Sequence, residues 1–204
     1  MLTNLKLFAT NNMKKLLLFL LLPFLAFGQL KDSVYVKTDI FEVMYSETLE
    51  QPLWTKYQVL CTGAGASRKG MDFYTVKGYK TSDAKDYEKN EWDKGHVAPA
   101  ADFNCNKEML YKTFSYLNCT LQHEKLNRVH WRLLEDYERL LAFTEGPVYV
   151  EVRVFFDKNP RRVGTGAAIP TAFLKTIKTK NKLVKFYFKN EPPTKPTFAD
   201  YQVK

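Results

Sequence analysis

The chain has 204 residues, 45% of them hydrophobic and 15% aromatic, which is enough to fill one sizeable core. Its 31 Lys and Arg against 22 Asp and Glu give a net charge of +9, compatible with a polyanionic partner but not diagnostic of one. The cysteines are Cys61, Cys105 and Cys119, and no C-x-x-C pair occurs, which argues against a structural zinc site. One disulfide with an odd thiol, or three free thiols, are both compatible with this spacing.

The N-terminal stretch has the pattern of a leader. Met13-Lys14-Lys15 precedes an apolar run from Leu16 to Phe27, broken only by Pro23 and closed by the small residues Ala26 and Gly28. A basic start, a short apolar centre and small residues at the end predict a secretory signal peptide over 1–28, cleaved near Gly28–Gln29. Residues 1–12 are then expected to lie upstream of the true start at Met13. The run falls short of the ~20 residues that span a bilayer, so an uncleaved anchor is the lesser alternative. Lys6, Lys14 and Lys15 leave with the leader, and the remainder stays positive. The expected product is one domain over 29–204, secreted or periplasmic.

Alternation at Val34-Tyr35-Val36 predicts a strand within the lead-in 29–48, and Trp54 to Leu60 predicts a core strand. The Gly- and Ser-rich stretch Cys61 to Gly70 is a turn or loop, and the polar residues 77–92 form a long surface loop. A short strand is predicted over Asp93–Ala98, with Pro99 ending its pairing on one side. Met109 to Leu117 is either a short helix or an extended connection. Trp131, Leu134, Tyr137 and Leu141 recur at three- and four-residue spacing, so Leu126 to Phe143 reads as the clearest helix, stopped by Gly146-Pro147. Val148–Phe156 alternates as a strand. Ala167–Pro170 and Val184–Phe188 supply further strands, separated by Thr171–Ile177, and the tail after Pro192-Pro193 is expected to be poorly ordered. Strands on both sides of one strong helix predict an α+β domain with a mainly antiparallel sheet.

The densest chemistry lies in Asp93-Lys94-Gly95-His96-Val97-Ala98-Pro99-Ala100-Ala101-Asp102-Phe103. His96 follows a glycine on a short strand, a setting in which it can be open to substrate. With an unperturbed pKa of about 6.5, its neutral form accepts a proton near pH 7. Residues at i and i+2 share a strand face, so Lys94 and His96 point the same way.

This motif resembles D-R-G-H-x-A-P of the DNA/RNA non-specific endonucleases, a family of secreted bacterial and mitochondrial nucleases with a ββα-metal active site. Further stretches resemble the same family in the same order: F-S-Y-L-N-C-T-L-Q with L-N (Phe114–Gln122, Leu126-Asn127), W-R-L-L-E-D-Y-E-R (Trp131–Arg139), Gly146-Pro147-Val148, and A-I-P-T-A-F (Ala168–Phe173). The similarity runs over roughly 45–190. It implies a Mg²⁺-dependent endonuclease acting on DNA and RNA, with Mn²⁺ as a substitute metal. His96 is then the general base and Asn127 the metal ligand. Glu135 acts on the metal through water, and Arg139, one turn further along the helix, is a catalytic residue that meets phosphate or pairs with Glu135. Asn118 helps to hold the catalytic site, and Lys94 and Arg68 meet phosphate. Lys94 stands where relatives carry arginine; it keeps the charge but gives up the bidentate fork. Cys119 and Leu121 replace the usual Ile and Pro of their block. The resemblance also allows a homodimer, although no residue marks an interface.

Competing readings accompany these residues. Asn127 fits a helix N-cap, and Glu135 with Arg139 fits a solvated i, i+4 ion pair. His123 and His130 read as surface or packing residues. Lysines 175, 178, 180, 182 and 185 form either a nucleic-acid-binding face or a solvated edge. At the level of function the alternatives are an inactive nucleic-acid-binding protein of the same fold, a phosphodiesterase for small substrates, or a toxin.

Overall fold

The computed structural model describes residues 33–204, so the apolar leader and its expected cleavage point lie outside the described residues. Strands β1 (Ser33–Lys37), β2 (Phe41–Ser46) and β3 (Gln51–Gln58) form an antiparallel meander. After a long loop come β4 (Trp92–His96), helix α1 (Lys107–Lys112) and β5 (Cys119–His123). A π-helical turn over Leu126–Trp131 runs directly into helix α2 (Arg132–Glu145). Strand β6 (Tyr149–Phe155) follows, then the two-residue strands β7 (Arg162–Val163) and β8 (Ala167–Ala168), then β9 (Ala172–Lys178), β10 (Leu183–Lys189) and β11 (Gln202–Val203).

Seven strands make one sheet in the order β1-β2-β3-β6-β9-β10-β11, antiparallel throughout. This is the α+β, mainly antiparallel architecture that the sequence predicts. Alternation explains how the sheet is used. Val150, Val152 and Val154 of β6 are buried, while Tyr149 and Arg153 face outward. The inward rows of β2, β6, β9 and β10 pack against Leu134 and Leu141 of α2 in one core. Trp131 is buried at the junction of the π-turn and α2, with its ring 5.5 Å from Phe173 and 6.0 Å from Phe188.

β4 and β5 form a separate two-stranded unit that leads straight into the helical segment, a ββα arrangement. The pairing depends on Gly95. A Cβ there would lie 2.6 Å from Gln122 Oε1 and 2.8 Å from its Cβ, too close for any side chain.

Several expectations change. Thr171–Ile177 is not a separator but most of β9, a strand inside the main sheet. Of the strand expected over Ala167–Pro170, only β8 is formed. The lead-in carries a second strand, β2. The tail is ordered rather than loose: the Tyr201 ring stacks on Phe188 at 4.5 Å, and Phe198 packs 5.9 Å from Phe186. Met109–Leu117 resolves into the end of α1 and the start of a 3₁₀ turn over Tyr116–Asn118. Cys61 and Cys105 form a disulfide, and Cys119 is a buried thiol.

Lys175 leaves the surface set of lysines. It is 0% exposed, its ammonium 2.6 Å from Glu138 Oε1 and 4.3 Å from the centre of the Trp131 ring. The phenol of Tyr57 donates to the other Glu138 oxygen at 2.7 Å. An inward-pointing lysine in β9 therefore neutralises the inward glutamate of α2. His123 and His130 are buried packing residues: His123 Nδ1 accepts from Lys125 N, and His130 Nε2 lies 3.0 Å from Lys195 O.

Candidate active site

A cleft of about 980 Å³ lies between the loop 66–73, the end of β4 and the π-turn with the first turns of α2. Arg68, Lys94, His96, Asn127, Glu135 and Arg139 all line it. Six of the seven side chains singled out in the sequence thus meet in one cavity, from segments up to 71 positions apart in the chain (139 − 68).

His96 ends β4, and its ring is wedged between two aromatic rings. Phe73 lies 4.6 Å away and tilted, and Phe114 meets it edge-on at 4.7 Å. Among the described residues its buried Nε2 has no hydrogen-bond partner. Burial disfavours the imidazolium, and the nearby Arg68 guanidinium adds to this, pushing the pKa down to about 3. The ring is therefore neutral at pH 7.

Lys94 shares the cleft-facing side of β4 with His96, as the period-two argument requires. Its ammonium lies 2.8 Å from Asp72 Oδ1. Asp93 points to the other side and organises the π-turn. One of its oxygens accepts from Asn127 Nδ2 at 3.0 Å, and both accept from the Arg128 fork at 2.9 and 2.7 Å. Asn127 is therefore not the N-cap; the segment starts at Lys125 with no side-chain cap. With its amide nitrogen held by Asp93, the oxygen is the end of Asn127 left for a ligand. The π-turn places Asn127 one short segment ahead of α2, and such turns recur at functional sites.

Glu135 faces the cleft from α2. Burial raises its pKa to about 7; the Lys175 ammonium opposes the rise and the Glu138 carboxylate adds to it. Arg139 does not pair with Glu135. It donates to the buried Asp102 at 2.7 Å and to Asp136, and is only 16% exposed. Asn118 does not reach the cleft. It is fully buried and bonds Ala98 from both ends of its amide: Oδ1 accepts from Ala98 N at 2.8 Å, and Nδ2 donates to Ala98 O at 2.9 Å and to Thr113 O at 3.0 Å. It clamps the backbone just past His96 and is a positioning residue.

Asp93, Asp102, Arg128, Arg132 and the Phe73–Phe114 wedge are site elements that sequence reasoning missed. Asp93 and Asp102 stand inside the histidine motif, but their partners lie on the helical segment and no local spacing reveals them. Among the described residues no three His, Cys, Asp or Glu side chains converge into a metal cage. An amide oxygen and a carboxylate in one cleft suit a hard cation that keeps most of its waters, as Mg²⁺ does, rather than Zn²⁺.

The fold and this cleft define a ββα arrangement with a histidine at the end of its first strand and an asparagine at the head of its helix. The sequence profile described as DNA/RNA non-specific endonuclease matches residues 27–204, and the chain belongs to that family. It is 28% identical over 153 residues to the mitochondrial endonuclease G of Bos taurus, covering 67% of this chain and 51% of that protein. It is 29% identical over 133 residues to the mitochondrial nuclease 1 of Schizosaccharomyces pombe, covering 57% of this chain and 38% of that protein. The chain thus spans about half, or less, of the length of these curated relatives. A solved structure of the EndoG/EndoGI complex matches with a TM-score of 0.73 and 20% identity, covering 83% of this chain and 80% of that one; this likeness concerns the fold.

Proposed function

We propose that this protein is an exported, Mg²⁺-dependent, sequence-nonspecific endonuclease that hydrolyses phosphodiester bonds in DNA and RNA, with His96 as general base. The observation that carries the reading is the convergence of a neutral, aromatic-wedged histidine with Lys94, Arg68, Asn127, Glu135 and Arg139 on one cleft, in a chain of this family. Hydrolysis needs a base for water and positive charge for the phosphate. His96 takes the proton from the attacking water, which a neutral imidazole does without first losing its own. Lys94 and Arg68 bind and orient the phosphates, and Arg139 adds positive charge from a guanidinium that Asp102 fixes in place. Asn127 would hold the divalent cation, with Glu135 acting on it through water. Mg²⁺, or Mn²⁺ in its place, supplies Lewis-acid stabilisation of charge on the phosphate and leaving oxygen. Asn118 keeps the backbone behind His96 in register. Export rests on the leader pattern at residues 13–28.

Supercoiled plasmid and a long RNA, incubated with the purified chain, are both expected to be degraded with Mg²⁺ and left intact with EDTA. A small chromogenic phosphodiester is expected to turn over far more slowly. Intact plasmid and RNA with either Mg²⁺ or Mn²⁺ would overturn the reading, and preference for the small diester would replace it with a small-substrate phosphodiesterase.

A further inference from the structure

Among the cleft cations, Arg139, Arg128 and Lys94 are held by Asp102, Asp93 and Asp72, and Arg132 by the half-exposed Asp136. Asp102, which holds Arg139, is buried, and Asp93, which holds Arg128, also fixes Asn127, so neither leaves without disturbing the site. Asp72 differs. It is 78% exposed on the loop that borders the cleft, and its Oδ1 accepts both from Lys94 Nζ at 2.8 Å and from the amide of Phe73 at 2.8 Å. Lys94 is 26% exposed and lines the cleft, its ammonium 5.9 Å from the ring centres of Phe73 and Tyr116. The ammonium is therefore held within the site, while its counter-ion is free to swing into solvent. Exposed pairs of this kind are individually weak, which makes the carboxylate exchangeable.

We propose that Asp72 is an internal competitor of substrate phosphate at Lys94, a built-in counter-ion that any phosphate bound there must displace. This rests on the proposed nuclease function. A phosphate reaches Lys94 only by displacing the Asp72 carboxylate. A nucleic-acid chain, bound at the same time by Arg68 and the other cleft cations, offsets that cost. The hydrogen bond from Lys94 keeps Asp72 below the usual carboxylate range, so the competitor stays ionised at neutral pH.

The test is a binding cycle in EDTA, using fluorescence anisotropy of a labelled single-stranded DNA oligonucleotide, with inorganic phosphate as displacing anion. Asp72→Asn is expected to tighten DNA binding about 2–5-fold, the range set by an exposed pair. It is also expected to make inorganic phosphate a better displacer, and to leave the melting temperature unchanged. In a Lys94→Met background the same substitution should add nothing. Unchanged or weaker binding by Asp72→Asn would overturn the proposal and make Asp72 a positioning residue for its loop. An equal gain in the Lys94→Met background would also overturn it, leaving only a general charge effect. Absence of DNA binding by every variant, wild type included, would instead overturn the nuclease reading itself.

Discussion

At the scale of single residues, His96 and Glu135 are displaced from their ordinary titration ranges in opposite directions. His96 is pushed down to about 3 by burial between aromatic rings and by Arg68, so its base form persists well below pH 6.5. A free histidine in the same role would lose activity near 6.5; here the His96 acid limb is expected at lower pH. Glu135 is raised to about 7 from an ordinary 4.5, chiefly by burial. The folded state thus prefers the protonated acid, and this preference stabilises it fully below pH 4.5 and is lost as pH rises through 7. Glu135→Gln is therefore expected to stabilise the metal-free protein at pH 8 by about 1–3 kcal/mol, since each tenfold change in proton affinity corresponds to ~1.4 kcal/mol, with no gain at pH 4.5. Its nuclease activity should fall nonetheless. Thermal melts at the two pH values measure the difference, and an equal effect at both would remove Glu135 from this role.

At the scale of elements, the cleft is assembled by long loops tied down at a few points. The Cys61–Cys105 disulfide spans a separation of 44 residues and closes the segment that carries Arg68, Asp72, Phe73 and β4. Closing a loop of this size stabilises by about 2–4 kcal/mol. Cys61→Ser with Cys105→Ser is expected to lower stability by that amount in a denaturant titration, and to loosen the Phe73 wedge against His96. A change below about 0.5 kcal/mol, the scatter among surface substitutions, would show that the loop is held by other contacts. Helix α2 and β6 were legible because their apolar residues keep one period, whereas nothing in that period marked the π-turn over Leu126–Trp131. β9 was not legible, because Lys175 occupies an inward position between Phe173 and Ile177 and breaks the apolar alternation. Its charge is matched by Glu138 on α2, a pairing that exists only once strand and helix are packed.

At the scale of the whole molecule, the site divides along the same line. Lys94 with His96, and Glu135 with Arg139, sit within single local elements, so their relative placement follows from strand and helix periods, while Asn127 is set by the π-turn ahead of α2. Arg68 depends on a loop whose path only the fold determines, yet it lines the same cleft. The carboxylates that hold the cations, Asp72, Asp93 and Asp102, were illegible because each pairs across 22 to 37 positions in the chain. Folding thus places the neutral imidazole of His96 in a cleft lined by Lys94, Arg68 and Arg139. The most direct test is Mg²⁺-dependent plasmid cleavage by His96→Ala beside the wild type, with DNA binding and melting temperature measured on the same samples. A cooperative melt that shows the variant folded, retained binding and a loss of cleavage of at least ~10²-fold, the usual contribution of a general base, are expected. Cleavage by His96→Ala at the wild-type rate would contradict the assignment of His96 as that base.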